Sequence, residues 1–176
     1  TPMGVLLNLY EHEKIQFPIP AKPHNLPSDL IISLTSHQLR FKWLHLTIES
    51  LLEQTTIADQ IILWIAEGEM AELPQSVISL SAKIEIKGTK DLKSFKKIIP
   101  SVLAFPNAYI VICDDDIYYP RFWLQNLIEG AQLNPNTIAA GAVHHWPDFL
   151  DDRHRQPAVG ARSAVDSFAC VVISAR

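Results

Sequence analysis

Glycine is scarce in this chain, six residues in 176. None of the six falls into G-x-G-x-x-G or G-x-x-x-x-G-K-[ST], which removes the dinucleotide fingerprint and the P-loop. Cysteine is scarcer. Cys113 and Cys170 lack zinc-site spacing and are too few for a disulfide framework, so both are expected as reduced core thiols in a cytoplasmic protein. No apolar run approaches the ~18 residues of a membrane span, and the start carries no signal-peptide pattern. No transmembrane segment is therefore expected. A basic surplus is missing as well: the net charge is −4, and no basic patch is interleaved with aromatics. That argues against nucleic acid as a partner. With 48% hydrophobic and 19% charged residues, the remaining composition suits one well-packed globular core.

Five of the twelve prolines fall within residues 1–28, which read as an extended, proline-rich lead-in with a short apolar patch at Val5–Leu9. The chain does not open on methionine, which suggests a fragment or a processed form. Residues 29–176 read as a single domain. Leu30–Leu34, Gln60–Ile65, Lys83–Ile86 and Tyr109–Cys113 are expected strands, with two further strands at Thr137–Val143 and Phe168–Ser174. Between them, Thr35 and Gln38 have capping-box spacing ahead of a helix carrying Phe41, Leu44, Ile48, Leu51 and Leu52 on one stripe. Pro74–Leu80 predicts a short helix. Asp91–Phe105 predicts another, with Leu92, Phe95, Ile99, Val102 and Leu103 inward and a kink or split at Pro100. Pro120 is suited to be the first residue of a last helix running to about Gln132. Strands alternating with helices imply an α/β fold with a mainly parallel central sheet and helices on both faces.

The expected strand Tyr109–Cys113 runs straight into Asp114, Asp115 and Asp116. Two unit charges ~4 Å apart repel by about 4 kcal/mol at an effective dielectric near 20, so three adjacent carboxylates at a buried strand end call for a positive partner. A divalent cation with hard oxygen ligands is the simplest one. Alternation along extended backbone lets Asp114 and Asp116 point one way and Asp115 the other, an Asp-x-Asp clamp holding Mn2+ or Mg2+. The plain alternative is a solvated acidic turn with Asp116 near the N-terminus of the following helix.

Other candidates surround this cluster. Lys90, Lys93, Lys96 and Lys97 recur at helical spacing and form either a cationic wall facing phosphates, with Lys96 and Lys97 best placed, or an ordinary wet helix face. The turn Leu34–His37 offers the hydroxyls of Thr35 and Ser36, with Arg40 one turn on, for a nucleoside or for N-capping. His144, His145, Asp148, Asp151, Asp152 and His154 crowd a proline-containing segment. They suit an acceptor-side loop, with Asp148 or Asp151 as candidate general base, or a hydrolase metal site. Trp64, Tyr118, Tyr119, Phe122 and Trp123 are placed in the core in preference to stacking on a sugar or base.

Taken together, residues 29–36, 47–55, 60–64, 92–100 and 110–120, the last reading Asp-Asp-Asp-Ile-Tyr-Tyr-Pro over 114–120, resemble bacterial GT-A-fold glycosyltransferases of the family-2-like group with a D-D-D-I-x-Y-P signature. The resemblance implies a Rossmann-like GT-A sandwich binding a nucleoside-diphosphate sugar donor at the carboxyl edge of the sheet. It implies Asp116 and Asp114 on the metal, and Thr35, Ser36, Arg40, Lys97, Asp114 and Asp115 around the donor. A carbohydrate or glycoconjugate acceptor would receive the sugar. Members of the group continue beyond the point where residue 176 stands, so this chain is expected to be C-terminally incomplete and donor binding is the better supported half of the activity. Two other classes stay open: a metal-dependent phosphohydrolase using the Asp cluster with His144 and Asp148, and a non-catalytic nucleotide- or carbohydrate-binding module.

Overall fold

The computed structural model describes residues 20–133, 139–140 and 171–174. The strands are β1 Lys22–Pro23, β2 Leu30–Thr35, β3 Thr56–Ile57, β4 Gln60–Ala66, β5 Glu85–Thr89, β6 Tyr109–Cys113, β7 Ala139–Ala140 and β8 Val171–Ser174. The helices are α1 Phe41–Leu52, α2 Gln75–Ile78, α3 Ile99–Ala104 and α4 Trp123–Leu133. Six strands make one sheet in the order β5-β4-β2-β6-β8-β7. The four strands β5, β4, β2 and β6 are mutually parallel, and β8 closes antiparallel on β6 with β7 antiparallel beyond it.

Long apolar runs in β2, β4 and β6 are buried on both faces, as central parallel strands require. On one face Leu30, Ile32, Leu34, Leu63, Val111 and Cys113 pack with Leu44 and Ile48 of α1, Val77 of α2 and Leu124 of α4. On the other, Ile31, Ile62, Trp64, Ile110 and Ile112 pack with Ile98, Val102 and Phe105 in and around α3. The expected α/β architecture, a mainly parallel sheet with helices on both faces, is what the chain adopts. Tyr118, Tyr119 and Trp64 are buried core residues, whereas Phe122 is exposed.

Several boundaries differ from expectation. The third strand lies at Glu85–Thr89 rather than at 83–86. The capping box does not form, because the Thr35 hydroxyl donates to the Trp64 carbonyl across the sheet at 2.6 Å, and α1 begins only after a 3-10 turn at Gln38–Arg40. Pro120 precedes α4, whose first residue is Trp123. Segment 91–105 splits as anticipated around Pro100, into a 3-10 turn Lys93–Lys97 and α3. Its expected inward stripe is largely wrong: Phe95 is 61% and Leu103 77% exposed, and Lys96 and Ser101 are buried instead. A 3-10 turn advances at 3.0 residues per turn, not 3.6, so a stripe projected through it loses phase.

Of the lead-in, residues 20–28 are described. Lys22–Pro23 pairs in parallel with Thr56–Ile57, Leu26 packs on the main core, and His24 Nε2 lies 2.7 Å from Asp59 Oδ2. Among the described residues no helix is long and apolar enough to cross a membrane.

Candidate functional site

The chain order runs β2, β4, β5 outward on one side and then returns to place β6 on the other side of β2. Strand order reverses there, and in open α/β sheets ligands settle in the crevice outside the carboxyl ends at such a point. A cleft of ≈ 460 Å³ opens at that position, with Thr35 and Ser36 from the end of β2 and Asp114 and Asp115 from the end of β6 in its wall. Arg40, Lys96 and Lys97 face the same space.

The three aspartates differ sharply in surroundings. Backbone leaves the strand at Cys113 and turns through Asp115 and Asp116. Asp115, 7% exposed, accepts from the Ser36 hydroxyl at 2.5 Å and from Arg40 Nη1 at 2.8 Å. Asp114 pairs with Lys97. Asp116 is 50% exposed, with Arg40 Nη1 at 3.3 Å. The carboxylate charge is therefore met within the chain by Arg40 and Lys97, positive partners of the kind that three adjacent carboxylates call for. The hydrogen bond to Asp115 raises the Arg40 pKa, against the opposing effect of burial, so the guanidinium stays charged.

Buried polar side chains of α1 and of the residues just after it fix the acidic turn. Thr47 Oγ1 donates to the Asp115 carbonyl at 3.0 Å, and Ser50 Oγ accepts the Tyr119 N–H at 3.0 Å. Gln54 Nε2 donates to the carbonyls of Ser50, Tyr119 and Pro120, while its Oε1 accepts the Leu124 N–H at 3.0 Å. Tyr119 returns to the strand end, its hydroxyl accepting from the Asp114 N–H at 2.9 Å. Thr47 and Ser50, three apart on α1, share one face, and Gln54 follows just beyond the helix end. Small polar residues among the buried apolar positions of α1 are the available signal in the sequence.

The basic side has its own anchor. Ser33 Oγ, inside β2, donates to the Lys97 carbonyl at 2.6 Å and lies 2.7 Å from Ser101 Oγ, which also accepts from Trp64 Nε1 at 2.7 Å. These side chains are buried and tie the turn carrying Lys97 to the sheet. Ser101→Ala leaves the Trp64 indole N–H buried without that acceptor, so chemical unfolding should register a loss of about 1–3 kcal/mol.

Thr35, Ser36, Arg40, Lys97, Asp114 and Asp115 are thus brought to one cleft, with Asp116 beside it. The hydroxyls of Thr35 and Ser36 are held in internal bonds, and the Gln38 N–H at the start of the 3-10 turn lies 3.3 Å from Glu69 Oε1. Lys93 and Lys96 also line the cleft, while Lys90 is exposed. Glu69 and Asp91 complete it and were not anticipated as site residues. His144, Asp148, Asp151 and the rest of that segment, with Cys170, lie outside the described residues.

No protein-family model and no curated protein sequence matches the chain. Among solved structures, the mannosyltransferase PcManGT from Pyrobaculum calidifontis, in complex with GDP-Man and Mn2+, matches with a TM-score of 0.50 at 13% identity. The match covers 85% of this chain and 46% of that one, so the chain spans less than half the length of the protein it matches. At that identity the likeness is one of fold, and the fold it supports is a Rossmann-like α/β sandwich.

Proposed function

We propose that this chain is the donor-binding part of a metal-dependent glycosyltransferase, which binds a nucleoside-diphosphate sugar with Mn2+ or Mg2+ and transfers the sugar to an acceptor hydroxyl of a carbohydrate or glycoconjugate. The observation that carries the reading is the charge balance of the cleft at the β2/β6 switch point. Four cations (Arg40, Lys93, Lys96, Lys97) face four carboxylates (Glu69, Asp91, Asp114, Asp115). A diphosphate entering alone would bring two or more uncompensated charges into that space; one entering with a divalent cation would not.

The donor set suits such an ion. Mg2+ commonly takes one or two protein carboxylates and completes its shell with water and substrate phosphates. Asp114 and Asp116, the two less buried members of the triplet, offer that number. Among the described residues no group of three or more His, Cys, Asp or Glu side chains converges as a closed protein cage. When bound, the ion would supply Lewis-acid stabilisation of the charge that develops on a departing diphosphate. Lys97 and Arg40, held at the cleft by Asp114 and Asp115, would add fixed positive charge where that charge develops, without reorganising during the reaction. Asp115, buried between Ser36 and Arg40, orients Arg40.

The reading is tested by calorimetric titration of GDP and UDP with and without Mn2+. Much tighter binding is expected with the metal present than in EDTA. Asp116→Ala should weaken that binding by roughly 30-fold, about 2 kcal/mol. Nucleotide binding of equal strength in EDTA, or undiminished in Asp116→Ala, rejects the assignment.

A further inference from the structure

Asp91 stands just before the 3-10 turn and lines the cleft. Its carboxylate accepts from three donors at once: the Lys93 N–H at 3.1 Å, Lys93 Nζ at 2.5 Å and Lys96 Nζ at 3.3 Å. Two ammonium groups therefore share one carboxylate. Lys96 is 3% exposed, and a lysine so deeply buried needs an anion. Asp91 is not buried with it: its side chain is 46% exposed, on the solvent side of the cluster. Lys93 has φ 54°, a left-handed conformation that costs a non-glycine residue about 1–2 kcal/mol, and its N–H bonds Asp91. A backbone N–H and two ammonium groups spread over the two oxygens of one carboxylate are a donor set that also suits a phosphoryl group.

We propose that Lys93 and Lys96 form a phosphoryl-binding nest in which the Asp91 carboxylate is a place-holder, leaving when a phosphoryl group binds. The nest is distinct from the Asp114–Asp116 pole of the cleft, because Lys97 and Arg40, the cations facing that pole, are paired with those aspartates. Asp91 carries a depressed pKa, caused first by the Lys93 side-chain hydrogen bond, in keeping with a position built for a permanently charged acceptor. A phosphoryl group reaching the nest belongs either to the donor diphosphate, which rests on the function proposed above, or to a phosphorylated acceptor.

The probe is inorganic phosphate, titrated in EDTA against the parent chain and variants and followed by calorimetry. If Asp91 fills the nest about nine-tenths of the time, Asp91→Asn should bind phosphate about ten-fold more tightly than the parent, since an occupied site lowers apparent affinity by its free fraction. Adding Lys96→Gln to that variant should abolish the gain. Asp91→Ser provides a second reading of the same effect, and circular dichroism identifies any variant that has lost its fold. Phosphate binding no tighter in either Asp91 variant, or a gain that survives Lys96→Gln, overturns the proposal. Repeating the titration with GDP and Mn2+ at saturation separates the sources: competition assigns the nest to the donor diphosphate, and simultaneous binding assigns it to a phosphorylated acceptor. Loss of nucleotide binding altogether would sink the proposed function and leave the metal-free phosphate comparison intact.

Discussion

Gln54→Ala is expected to lower stability by about 2–4 kcal/mol. The side chain is 3% exposed and bonds four backbone groups, the carbonyls of Ser50, Tyr119 and Pro120 and the Leu124 N–H. Truncation removes the acceptor of the Leu124 N–H, whereas the Pro120 carbonyl keeps the Trp123 N–H at 2.9 Å; a buried polar group left unsatisfied costs about 1–3 kcal/mol. The lost packing of a fully buried side chain adds to that. A chain of this length should lose about 2–4 °C in Tm for each kcal/mol. Gln54→Glu retains the volume but turns an oxygen toward the three carbonyls, and it should be no better tolerated. Urea unfolding with an unchanged m-value and a lowered midpoint is the expected signature. A loss below about 1 kcal/mol would mean that the backbone of residues 119–124 is held by something other than Gln54.

Asp115→Ala should produce the second large effect, and one that separates two members of the triplet. Asp115 accepts from the buried Ser36 hydroxyl and from Arg40. Its removal strands the hydroxyl and cuts the tether that points Arg40 into the cleft. Breaking a fully buried charge pair costs about 3–5 kcal/mol; Arg40 is half-exposed and keeps access to water and Asp116, so about 2 kcal/mol is expected here. Asp115→Ala should lose stability and nucleotide affinity together, whereas Asp116→Ala should lose affinity at nearly unchanged Tm, because the Asp116 side chain is half-exposed and, among the described residues, is paired with Arg40 alone, at 3.3 Å. Paired melting and titration experiments read both quantities. Equal melting of the two variants would contradict the burial difference on which the assignment of roles depends.

These two residues also show how far a single sequence can be read. Asp115 was placed near the donor because it belongs to a local run, yet its local context gives no sign that it alone of the three is enclosed. Its partners, Ser36 and Arg40, are 79 and 75 positions away. Gln54 belongs to a segment cited for its resemblance to a family, but its work is done on backbone some 65–70 residues downstream. The sharing of Asp91 between Lys93 and Lys96 is illegible in the sequence for a different reason. The helix projected over 91–105 treated its lysines as one face, and the 3-10 turn with its left-handed Lys93 breaks the periodicity on which any such projection rests.

From residues alone, the chain determines its strands, their alternation with helices, and the acidic end of β6, because apolar runs, breakers and adjacent charges act over a few positions and are read directly from their order. Tertiary structure alone decides which carboxylate is buried, which cations neutralise the triplet and which polar side chains pin the turn. Those outcomes depend on β2 lying between β4 and β6, a pairing that brings residues far apart in the chain within hydrogen-bond reach and that no local pattern encodes.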